Sequence, residues 1–401
     1  MTANTDVVIL SAARTPQGKI KGGLASLRAV DLGAVAVRAA LERLSAGGAG
    51  AVGAADVDAL IFGQVLQAGA GQNPARQTSI AAGLGWQVPT VTINKVCLSG
   101  LAAIIDAARL IRSGEAEVVV AGGQESMTNA PHVLPGSRLG WSYGSITALD
   151  SAAHDGLTDA FDGDSMGAST ERYTSKLGLT REAQDEFAAE SHRRAGAAAA
   201  AGLFDAELAP VVIPQRKGDP IVIGADEGVR PDSTADILGR LRPSFADDGT
   251  LTAGNSSPLS DGAAAVVLTS RENAERRGLP WLAVLGANAQ VAGPDNSLHS
   301  QPSNAIAAAL AKTGLSASDL DFVEINEAFA AVALQSMADL GLDHERVNIH
   351  GGAIAIGHPI GASGARLVVH AAHELNRRGS GRAAVALCGG GGQGDALILS
   401  R

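Results

Sequence analysis

Two distant stretches of the chain resemble each other closely. Residues 97–124 contain "CLSGLAAIIDAARLIRSG" and then "EVVVAGGQ", and residues 361–393 contain "GASGARLVVHAAHELNRRG" and then "AVALCGGGGQ". Upstream of them, "AALERL" and "DVDALIFG" likewise resemble "AALAKT" and "DLDFVEIN". An internal repeat that spans a helix, a strand and a turn is typical of a duplicated structural unit. The chain is therefore predicted to fold into two homologous α/β halves.

Short β-rich runs alternate with helical patterns in both copies. Apolar spacing near 3.6 residues predicts helices over 98–112, 327–340 and 363–378. Strands separated by helices indicate buried, largely parallel sheets. The predicted strands are "DVVIL" (6–10), "ALIFG" (59–63), "TVTIN" (90–94), "EVVVAGG" (117–123), "DFVEI" (321–325), "RVNIH" (346–350) and "RAAVALC" (382–388).

The region from about Ser126 to Pro258 interrupts this alternation. It contains the polar string "HDGLTDAFDGDSMG", an Ala-rich helical pattern over 181–201 and a run punctuated by Pro and Gly. Such a shift marks an insertion, and insertions commonly cover functional sites. The predicted domains are a first core half (1–126 and 259–279), an inserted loop domain (127–258) and a second core half (280–401).

Length, charge and cysteine content exclude several classes of protein. The 401 residues exceed the usual size of one hydrophobic core. The net charge of −10 argues against a nucleic-acid-binding surface. The chain lacks an uninterrupted run of about eighteen apolar residues and a secretion signal, so no membrane association is expected. Its two distant cysteines fit a reducing compartment, which predicts a cytoplasmic location.

Cys97 is the first candidate for chemistry. It follows an apolar run and directly precedes the helix that is predicted to begin at Leu98. The unpaired N–H groups and the dipole of a helix N-terminus stabilise a thiolate, which predicts a thiol pKa below the usual value of about 8.5. The corresponding residue of the second copy is Gly361, so the packing does not require a thiol. This favours a nucleophile over the small core residue that most buried cysteines are.

Cys388 ends a predicted strand and enters the glycine-rich string "CGGGGQG". Glycine lets the backbone approach a ligand and direct N–H groups at it, so this loop can form an oxyanion hole. The string also fits the dinucleotide pattern G-x-G-x-x-G. That pattern needs a helix after it, and "DALIL" is typical of a strand, so the dinucleotide interpretation is rejected.

His358 and Asn326 are two further candidates. His358 lies between glycines and Pro359 in "NIHGGAIAIGHPIGASGAR", where a core residue is unexpected. Imidazole is the usual general base for a thiol and can donate a hydrogen bond to an oxyanion, which favours function. Asn326 ends a strand in "EINEAFA", at the edge where α/β sheets bind ligands. It could equally be the N-cap of the following helix, and composition does not separate the two roles.

Two other patterns are set aside. "GDSMG" (163–167) fits the esterase pattern G-x-S-x-G, but no apolar strand precedes Ser165, so the match is read as accidental. His370 and His373 have the spacing of a helical metal site. With no cysteine or carboxylate motif beside them, a solvated helix face is the favoured interpretation. No metal site is predicted.

These strings together resemble the thiolase family over essentially the whole chain. "NKVCLSGLAAI" is similar to the nucleophilic-cysteine motif of the family, "NEAFA" to its Asn motif, "NIHGGAIAIGHPIGASGAR" to its His motif and "CGGGGQG" to its second-cysteine motif. "HDGLTDAFDGDSMG", "LRPSF" and "AGNSSPLSDGAA" most resemble the short-chain, acetoacetyl-CoA branch. The resemblance implies a thiolase-like α/β fold of two duplicated βαβαβαββ halves in five layers, α/β/α/β/α, with an inserted loop domain.

The resemblance also implies a mechanism and its residues. Cys97 would take the acyl group from one acetyl-CoA while His358 accepts the thiol proton, and Cys388 would then remove an α-proton from a second acetyl-CoA. The enolate oxygen would be held by His358 and by a water that Asn326 positions. The backbone N–H groups of Cys97 and Gly390 would stabilise the tetrahedral intermediates, and acetoacetyl-CoA and CoA would be released.

By the same resemblance, the insertion would bind CoA and form the contacts of a homotetramer, a dimer of dimers. Family members often carry His where this chain has Ser165, which bears on acyl-chain selectivity. The alternative activity is therefore a 3-ketoacyl-CoA thiolase for longer chains. No metal or redox cofactor is implied. The residues expected to contact CoA or line its channel are Ser257, Arg230, Met166, Phe245, Ala328 and Phe329.

Overall fold

A computed structural model describes residues 6–45 and 52–401; residues 1–5 and 46–51 of the predicted first core half lie outside the described residues. The strands are β1 (Val7–Arg14), β2 (Gly18–Lys19), β3 (Ala59–Gly63), β4 (Thr90–Ile93), β5 (Val118–Ser126), β6 (His132–Val133), β7 (Leu149–Asp150), β8 (Val211–Ile213), β9 (Ile221–Ile223), β10 (Ser260–Ser270), β11 (Ala283–Ala292), β12 (Phe322–Ile325), β13 (Arg382–Gly389) and β14 (Gln393–Ser400).

The helices are α1 (Ala29–Ser45), α2 (Pro74–Ala81), α3 (Ser99–Ser113), α4 (Met166–Leu177), α5 (Arg181–Ala200), α6 (Ala235–Leu238), α7 (Arg271–Arg277), α8 (Gln301–Ala311), α9 (Ala330–Leu340), α10 (Ala353–Ile356) and α11 (Ser363–Arg378). Among the described residues, none of these helices combines the length and the apolar character that a bilayer crossing requires.

The strands of the two halves follow the same spatial order. The first half runs β4, β3, β5, β10, β1, and the last four of these strands correspond in order to β12, β13, β14 and β11 of the second half. An antiparallel pairing of β1 with β11 joins them into one sheet. The duplication is therefore confirmed. The expectation of largely parallel sheets is wrong. Among the strands of the described residues, only β3 with β4 and β5, and β12 with β13, pair in parallel. The pairs β1–β10, β1–β11, β5–β10, β11–β14 and β13–β14 are antiparallel.

Three apolar clusters define the layers. Helices α3 and α11 share one cluster with the facing sides of β1, β5 and β10 from the first half and of β11, β13 and β14 from the second. Because side chains alternate along a strand, the other sides of these sheets face outward. There α1 and α2 cover the first half, and α8 and α9 cover the second. The layers are α/β/α/β/α, as the resemblance implies.

The two central helices touch through glycines in their first turns. A Cβ on Gly364 of α11 would lie 2.5 Å from the backbone N of Leu101, and one on Gly100 of α3 would lie 2.9 Å from the backbone N of Ala365. Only glycine permits so close an approach of two helix backbones. The residues that immediately precede these helices therefore meet at the centre of the molecule.

The predicted strand 346–350 does not form. Val347 makes a single bridge to Val323 of β12, and Asn348 adopts a φ of 48°. The Asn348 side chain replaces a strand partner, since its Oδ1 accepts from the Ile325 N–H at 2.8 Å and its Nδ2 donates to the Ile325 carbonyl at 2.9 Å. Asn tolerates the left-handed region better than most residues, so the chain turns away after one bridge.

Buried charges join the insertion to the core. Arg14 of β1 binds Glu207 at 2.6 Å and Asp226 at 2.7 Å, both of which belong to the insertion. His370 of α11 contacts the second Glu207 oxygen through Nδ1 at 2.9 Å. Burial raises the pKa of Glu207, but Arg14 and His370 outweigh that effect and hold it well below its usual range. The domain boundaries at 126/127, 258/259 and 279/280 stay predictions.

The solvated-face interpretation of His370 and His373 is wrong. His370 is only 4% exposed and packs beneath the insertion. His373 is partly buried, and its Nε2 lies 3.0 Å from the carbonyl of Ala12 in β1. The pattern misled because α11 is a central helix that other layers cover on both sides, so most of its polar positions before the last turn face protein.

Candidate functional site

A cavity of about 530 Å³ lies between the two core halves and the insertion. Cys97, His358 and Cys388 all line it, although 291 positions separate the first from the last. Most of the remaining lining is apolar and comes from the insertion and from the segment 328–329. The structure therefore brings three sequence-predicted catalytic residues into one cavity.

Cys97 lies on a strained turn between β4 and α3. Val96 has a φ of 49°, in the left-handed region that β-branched residues avoid. Ser99 holds the turn, because its hydroxyl donates to the Val96 carbonyl at 2.6 Å and accepts from the Lys95 N–H at 2.8 Å. Helix α3 begins at Ser99, one residue later than predicted, with Leu98 as its N-cap. Strain of this kind clusters at functional sites.

The expectation of a lowered Cys97 pKa is wrong. Burial raises the pKa of the Cys97 thiol to about 12, and the negative charge of Glu125 adds to the rise. Hydrogen bonds from the backbone N–H groups of Cys97 and Gly390 lower it but do not outweigh burial. The thiol is therefore protonated at neutral pH and needs a base when it attacks.

Glu125, the last residue but one of β5, is a buried carboxyl that accepts hydrogen bonds from three backbone N–H groups. Val65 and Gly361 each donate at 3.0 Å, and Leu66 donates at 3.2 Å. Burial raises the pKa of Glu125 to about 7. Its carboxyl thus ties the loop after β3 to the loop that follows His358, beside the nucleophile.

His358 lies between α10 and α11 and is 5% exposed. Its Nδ1 lies 2.6 Å from the Ser363 hydroxyl, which also contacts the Pro359 carbonyl at 3.0 Å. We assign the hydroxyl as donor to Pro359 and acceptor from Nδ1–H, which leaves Nε2 as the acceptor nitrogen of the ring. Burial lowers the pKa of His358 to about 3, so the ring is neutral and can accept the thiol proton.

Asn326 lies beneath the imidazole and is fully buried. Its Nδ2 lies 3.4 Å from His358 Nε2. Among the described residues, Asn326 Oδ1 has no hydrogen-bond partner. Buried polar atoms are normally satisfied by protein or by ordered water, so this amide suits the water-positioning role that the resemblance implies.

The N-cap alternative for Asn326 is wrong, as is the prediction that the helix starts at residue 327. Helix α9 begins at Ala330 with Phe329 as its N-cap. The residues before it are held extended, because the Ala328 carbonyl accepts from both the backbone N–H and the hydroxyl of Ser257, each at 3.0 Å. The "NSSP" loop therefore delays the helix and fixes the channel wall.

Cys388 is the last residue but one of β13, and the glycine-rich loop that follows turns directly into β14. Because a strand rather than a helix follows, the rejection of the dinucleotide interpretation is confirmed. Cys388 is 1% exposed and packs among apolar side chains that include Leu298 and Phe329. Burial raises the pKa of its thiol, and the nearby Cys97 raises it further. The two sulfur atoms therefore lie close enough to influence each other's charge.

The apolar residues that the resemblance assigns to the channel all line the cavity. The Phe245 and Phe329 rings pack edge to face, with centroids 6.1 Å apart. Met166 and Ala328 lie in the same lining, and Ser257 joins them. Ser165 also lines the cavity, where its hydroxyl caps α4 by accepting from the Ala168 N–H at 3.2 Å.

Arg230 is the predicted site residue that the structure does not bring to the cavity. Its backbone N–H donates to His192 Nδ1 at 3.2 Å, and its guanidinium lies 3.3 Å from Nε2 of the same ring. It is not among the residues that line the cavity. Its contact with CoA stays a prediction.

Sequence reasoning missed Glu125 and Ser363. Ser363 lies five residues after His358 in the sequence. Only the folded structure shows that its hydroxyl contacts Nδ1 of the His358 ring. Glu125 carries a signal that could have been used, namely a carboxylate at the end of an apolar strand in "VVVAGGQES". A charge in such a position is costly unless hydrogen bonds compensate it, which marks it for attention.

Comparison with known proteins matches this arrangement. The model for the thiolase N-terminal domain matches residues 7–272, and the model for the thiolase C-terminal domain matches residues 279–401. The chain belongs to the thiolase family. Together the two matches extend over both core halves and the insertion, so every residue of the site described above lies within a thiolase domain.

Curated relatives share nearly the full length of this thiolase. A protein named "Probable acetyl-CoA acetyltransferase" from Mycolicibacterium smegmatis is 56% identical over 98% of this chain and 100% of its own. The acetyl-CoA acetyltransferase of Cupriavidus necator is 50% identical over 99% of this chain and 100% of its own. That of Pseudomonas aeruginosa is 49% identical over 99% of both chains.

Proposed function

We propose that this thiolase joins two molecules of acetyl-CoA reversibly into acetoacetyl-CoA and CoA, the reaction of an acetyl-CoA acetyltransferase. The observation that carries the proposal is the convergence of Cys97, His358 and Cys388 on one cavity. A Claisen condensation of thioesters needs a nucleophile that holds one acyl group and a separate base for the second. The names of the relatives support acetyl-CoA as the substrate.

In the first step, Cys97 attacks the acetyl thioester while His358 Nε2 takes its proton. The C–S bond to CoA breaks as the bond to Cys97 forms, and the departing CoA thiolate takes the Cys388 proton. The N–H groups of Cys97 and Gly390, which already point at the sulfur, stabilise the tetrahedral oxyanion. This step leaves acetyl-Cys97, a His358 imidazolium and a Cys388 thiolate.

In the second step, the Cys388 thiolate removes an α-proton from a second acetyl-CoA. The His358 imidazolium and a water on Asn326 hold the enolate oxygen, and the enolate carbon attacks acetyl-Cys97. The C–S bond to Cys97 breaks, acetoacetyl-CoA forms, and the imidazolium returns its proton to Cys97. Protons balance over the cycle without a metal or redox cofactor, and we propose that none is required.

Cys97→Ser is expected to abolish the acetylated intermediate. A serine hydroxyl has a much higher pKa than the thiol, and a buried neutral imidazole cannot deprotonate it effectively. Intact-protein mass spectrometry after treatment with acetyl-CoA should show one added acetyl group on the wild type and none on the variant. Acetylation of Cys97→Ser to the same extent, or absence of acetylation from the wild type, would contradict the proposal.

Chain length separates this proposal from the alternative, a 3-ketoacyl-CoA thiolase for longer chains. Ser165 is a small residue at the wall of the cavity, so steric exclusion of longer chains depends on its neighbours Met166 and Phe245. Steady-state thiolysis should be faster with acetoacetyl-CoA than with six- to ten-carbon 3-ketoacyl-CoA substrates. The reverse order would replace the proposed activity by the alternative.

We propose that the apolar channel holds the pantetheine arm of CoA and that Gly167→Ala obstructs it. An added Cβ would lie 2.2 to 2.4 Å from three atoms of the Phe245 ring, so the ring must move into the channel. Overpacking of this kind costs about 1–3 kcal/mol, which predicts a rise in KM for acetyl-CoA of about 10-fold. Ser175→Ala, on the exposed side of the same helix α4, serves as control. An unchanged KM for Gly167→Ala would contradict the channel assignment.

The insertion is proposed to build a homotetramer, a dimer of dimers. Between β6 and β7 it exposes apolar side chains, with Leu139 94% and Trp141 52% accessible. Apolar exposure of this extent is typical of interaction surfaces. The other contact is proposed at β4, which ends the sheet order among the described residues and exposes Val91.

Loss of the apolar side chains on the insertion should split the tetramer into dimers. Light scattering should give the mass of four chains for the wild type and of two chains for Leu139→Ser with Trp141→Ser. Ile221→Ser, which removes an exposed apolar side chain from β9, is the matched control and should leave the mass unchanged. A wild type that elutes as a monomer, or a double variant that stays tetrameric, would contradict the proposal.

The location of the protein is proposed to be the cytoplasm. Cys97 and Cys388 are both free thiols in the described structure, and the proposed mechanism requires both in reduced form. A reducing compartment maintains that state. Fractionation followed by thiol counting on the isolated protein tests the location and the redox state together.

A further inference from the structure

The turn that carries the nucleophile is tied to the opposite half of the molecule. Lys95 lies two residues before Cys97, and its ammonium lies 2.6 Å from Asp395 Oδ1. The lysine side chain is 22% exposed, whereas the Asp395 side chain is fully buried. Lys95 belongs to the first core half and Asp395 to β14 of the second, so this ion pair spans the junction between the halves.

Asp395 belongs to the hairpin that carries the second thiol. In the β13–β14 ladder it pairs with Leu387, and the neighbouring Gly394 pairs with Cys388. The turn of this hairpin also contains Gly390, whose N–H points at the Cys97 sulfur. Any shift of Asp395 relative to Lys95 therefore moves Cys388 and Gly390 relative to Cys97.

A second group of polar contacts fixes the carboxylate from the other side. Asp395 Oδ2 accepts from Gln290 Nε2 at 3.2 Å, and the side-chain oxygen Oε1 of Gln290 accepts from the Arg109 guanidinium at 3.2 Å. Burial raises the pKa of Asp395, and the contacts with Lys95 and Gln290 oppose that rise. Without Lys95 the buried carboxylate would lose its direct cation, a situation that proteins relieve by movement or protonation.

We propose that the Lys95–Asp395 ion pair sets the separation between the Cys97 and Cys388 sulfur atoms and is a pair of positioning residues for carbon–carbon bond formation. The inference rests on the proposed function. Acetylation of Cys97 needs His358 and the backbone N–H groups around the sulfur, and the departing CoA thiolate can take its proton from Cys388 or from water. Condensation also needs the enolate made at Cys388 to reach acetyl-Cys97, so it depends far more steeply on the relative position of the two loops.

A cross-linking experiment measures the separation without relying on activity. The chain contains only two cysteines, so dibromobimane, which becomes fluorescent only after both of its arms have alkylated thiols, reports on Cys97 and Cys388 alone. We expect Lys95→Met and Asp395→Asn to lower the initial rate of cross-linking at least 5-fold. The rate of single alkylation by iodoacetamide should change less than 2-fold, because each thiol keeps its own surroundings.

Kinetics separate the two half-reactions in the same variants. Condensation of acetyl-CoA should fall about 10- to 100-fold, the range that displacement of reacting groups by about 1 Å produces. Exchange of labelled CoA into acetyl-CoA needs acetylation alone and loses only alignment with the Gly390 N–H, so it should fall at least 5-fold less than condensation does. The double variant Lys95→Met/Asp395→Asn should be no worse than either single variant, because both remove the same interaction.

Controls keep a general loss of structure apart from a loss of position. Lys312→Met removes a lysine that donates to the Asn288 carbonyl on β11, near Gln290 in sequence, and should leave both rates unchanged. Lys95→Arg keeps the charge and should recover most of the condensation rate. If Lys95→Met fails to fold, Lys95→Arg and Asp395→Asn still decide the matter through the cross-linking rate.

The outcomes are distinct. Wild-type cross-linking in folded Lys95→Met and Asp395→Asn, or equal losses in exchange and condensation, would overturn the positioning role while leaving the proposed function intact. Failure of the wild type to make acetoacetyl-CoA would overturn the proposed function, and the cross-linking rates would still accept or reject the ion pair as the element that fixes the distance between the thiols.

Discussion

Cys388→Ala is expected to abolish condensation while leaving acetylation of Cys97 in place, because the departing CoA thiolate is a good leaving group and can take its proton from water instead of from Cys388. The thiolate is the base for the α-proton of acetyl-CoA, a weak carbon acid, and loss of a general base costs about 10²- to 10⁴-fold. With an enolate as the required intermediate, we expect the upper end of that range. Acetoacetyl-CoA formation measured by absorbance should fall about 10⁴-fold, whereas intact-mass spectrometry should still find acetylated protein.

The surroundings of Cys388 make this separation sharp. The thiol packs among apolar side chains, and among the described residues its only neighbour with a titratable sulfur is Cys97. Cys388→Ser serves as the isosteric control and should resemble Cys388→Ala, since a hydroxyl in this apolar pocket is a far weaker acid than a thiol. Retention of condensation within 10-fold by either variant, or loss of Cys97 acetylation along with it, would contradict the assignment of Cys388 as the base.

The internal sequence repeat predicted much of the fold. The sequence repeat predicted two homologous α/β halves. The correspondence of Cys97 with Gly361 predicted that the two equivalent loops differ in chemistry. The structure places these two residues just before α3 and α11. The repeat did not predict whether neighbouring strands pair in parallel or antiparallel. Alternating strands and helices indicate parallel pairing between the strands that the helices connect. However, β10 pairs antiparallel with β1, and β14 pairs antiparallel with β11.

The strand predicted over 346–350 does not form, and the reason lies in a contact with β12 that the amino-acid composition of the segment does not show. The run "RVNIH" has β-forming residues, Val and Ile, at two of its five positions, but Asn348 hydrogen-bonds the end of β12 with its side chain and turns the backbone away. This side chain takes the place of a strand partner through a contact between distant segments, so a local sequence pattern does not predict it. The delayed start of α9 has the same origin, in the pairing of Ala328 with Ser257.

The site was predicted unevenly for physical reasons. His358 and Cys388 carry reactive groups next to glycines, a combination that is unusual in a core, and Cys97 directly precedes a predicted helix, so all three were visible in the sequence. Arg230 was chosen by resemblance alone, and the structure places it against His192 instead of the cavity. The direction of the Cys97 pKa could not be read from a helix N-terminus, because burial, which depends on the complete fold, outweighs the backbone N–H groups.

His358→Ala is expected to remove both half-reactions. The imidazole takes the Cys97 proton in the first step and holds the enolate oxygen in the second, so one substitution removes a general base and an oxyanion donor. Each function contributes at least 10²-fold, and together they predict a loss of about 10⁴-fold or more in condensation. CoA exchange should fall at least 10²-fold, unlike in Cys388→Ala, and stopped-time mass spectrometry of Cys97 acetylation measures it directly.

The pH dependence tests the same residue without a substitution. Burial lowers the pKa of His358 to about 3, so protonation of the imidazole should not reduce exchange until the pH falls well below the ordinary histidine range near 6.5. Glu125, whose pKa burial raises to about 7, becomes negative near neutral pH beside the Cys97 thiol and should slow exchange as the pH rises through 7. Glu125→Gln should remove that inflection and leave the acid limb unchanged. A loss of activity centred near pH 6.5 that survives in Glu125→Gln would show that His358 titrates normally, and the neutral imidazole would then not be the resting base.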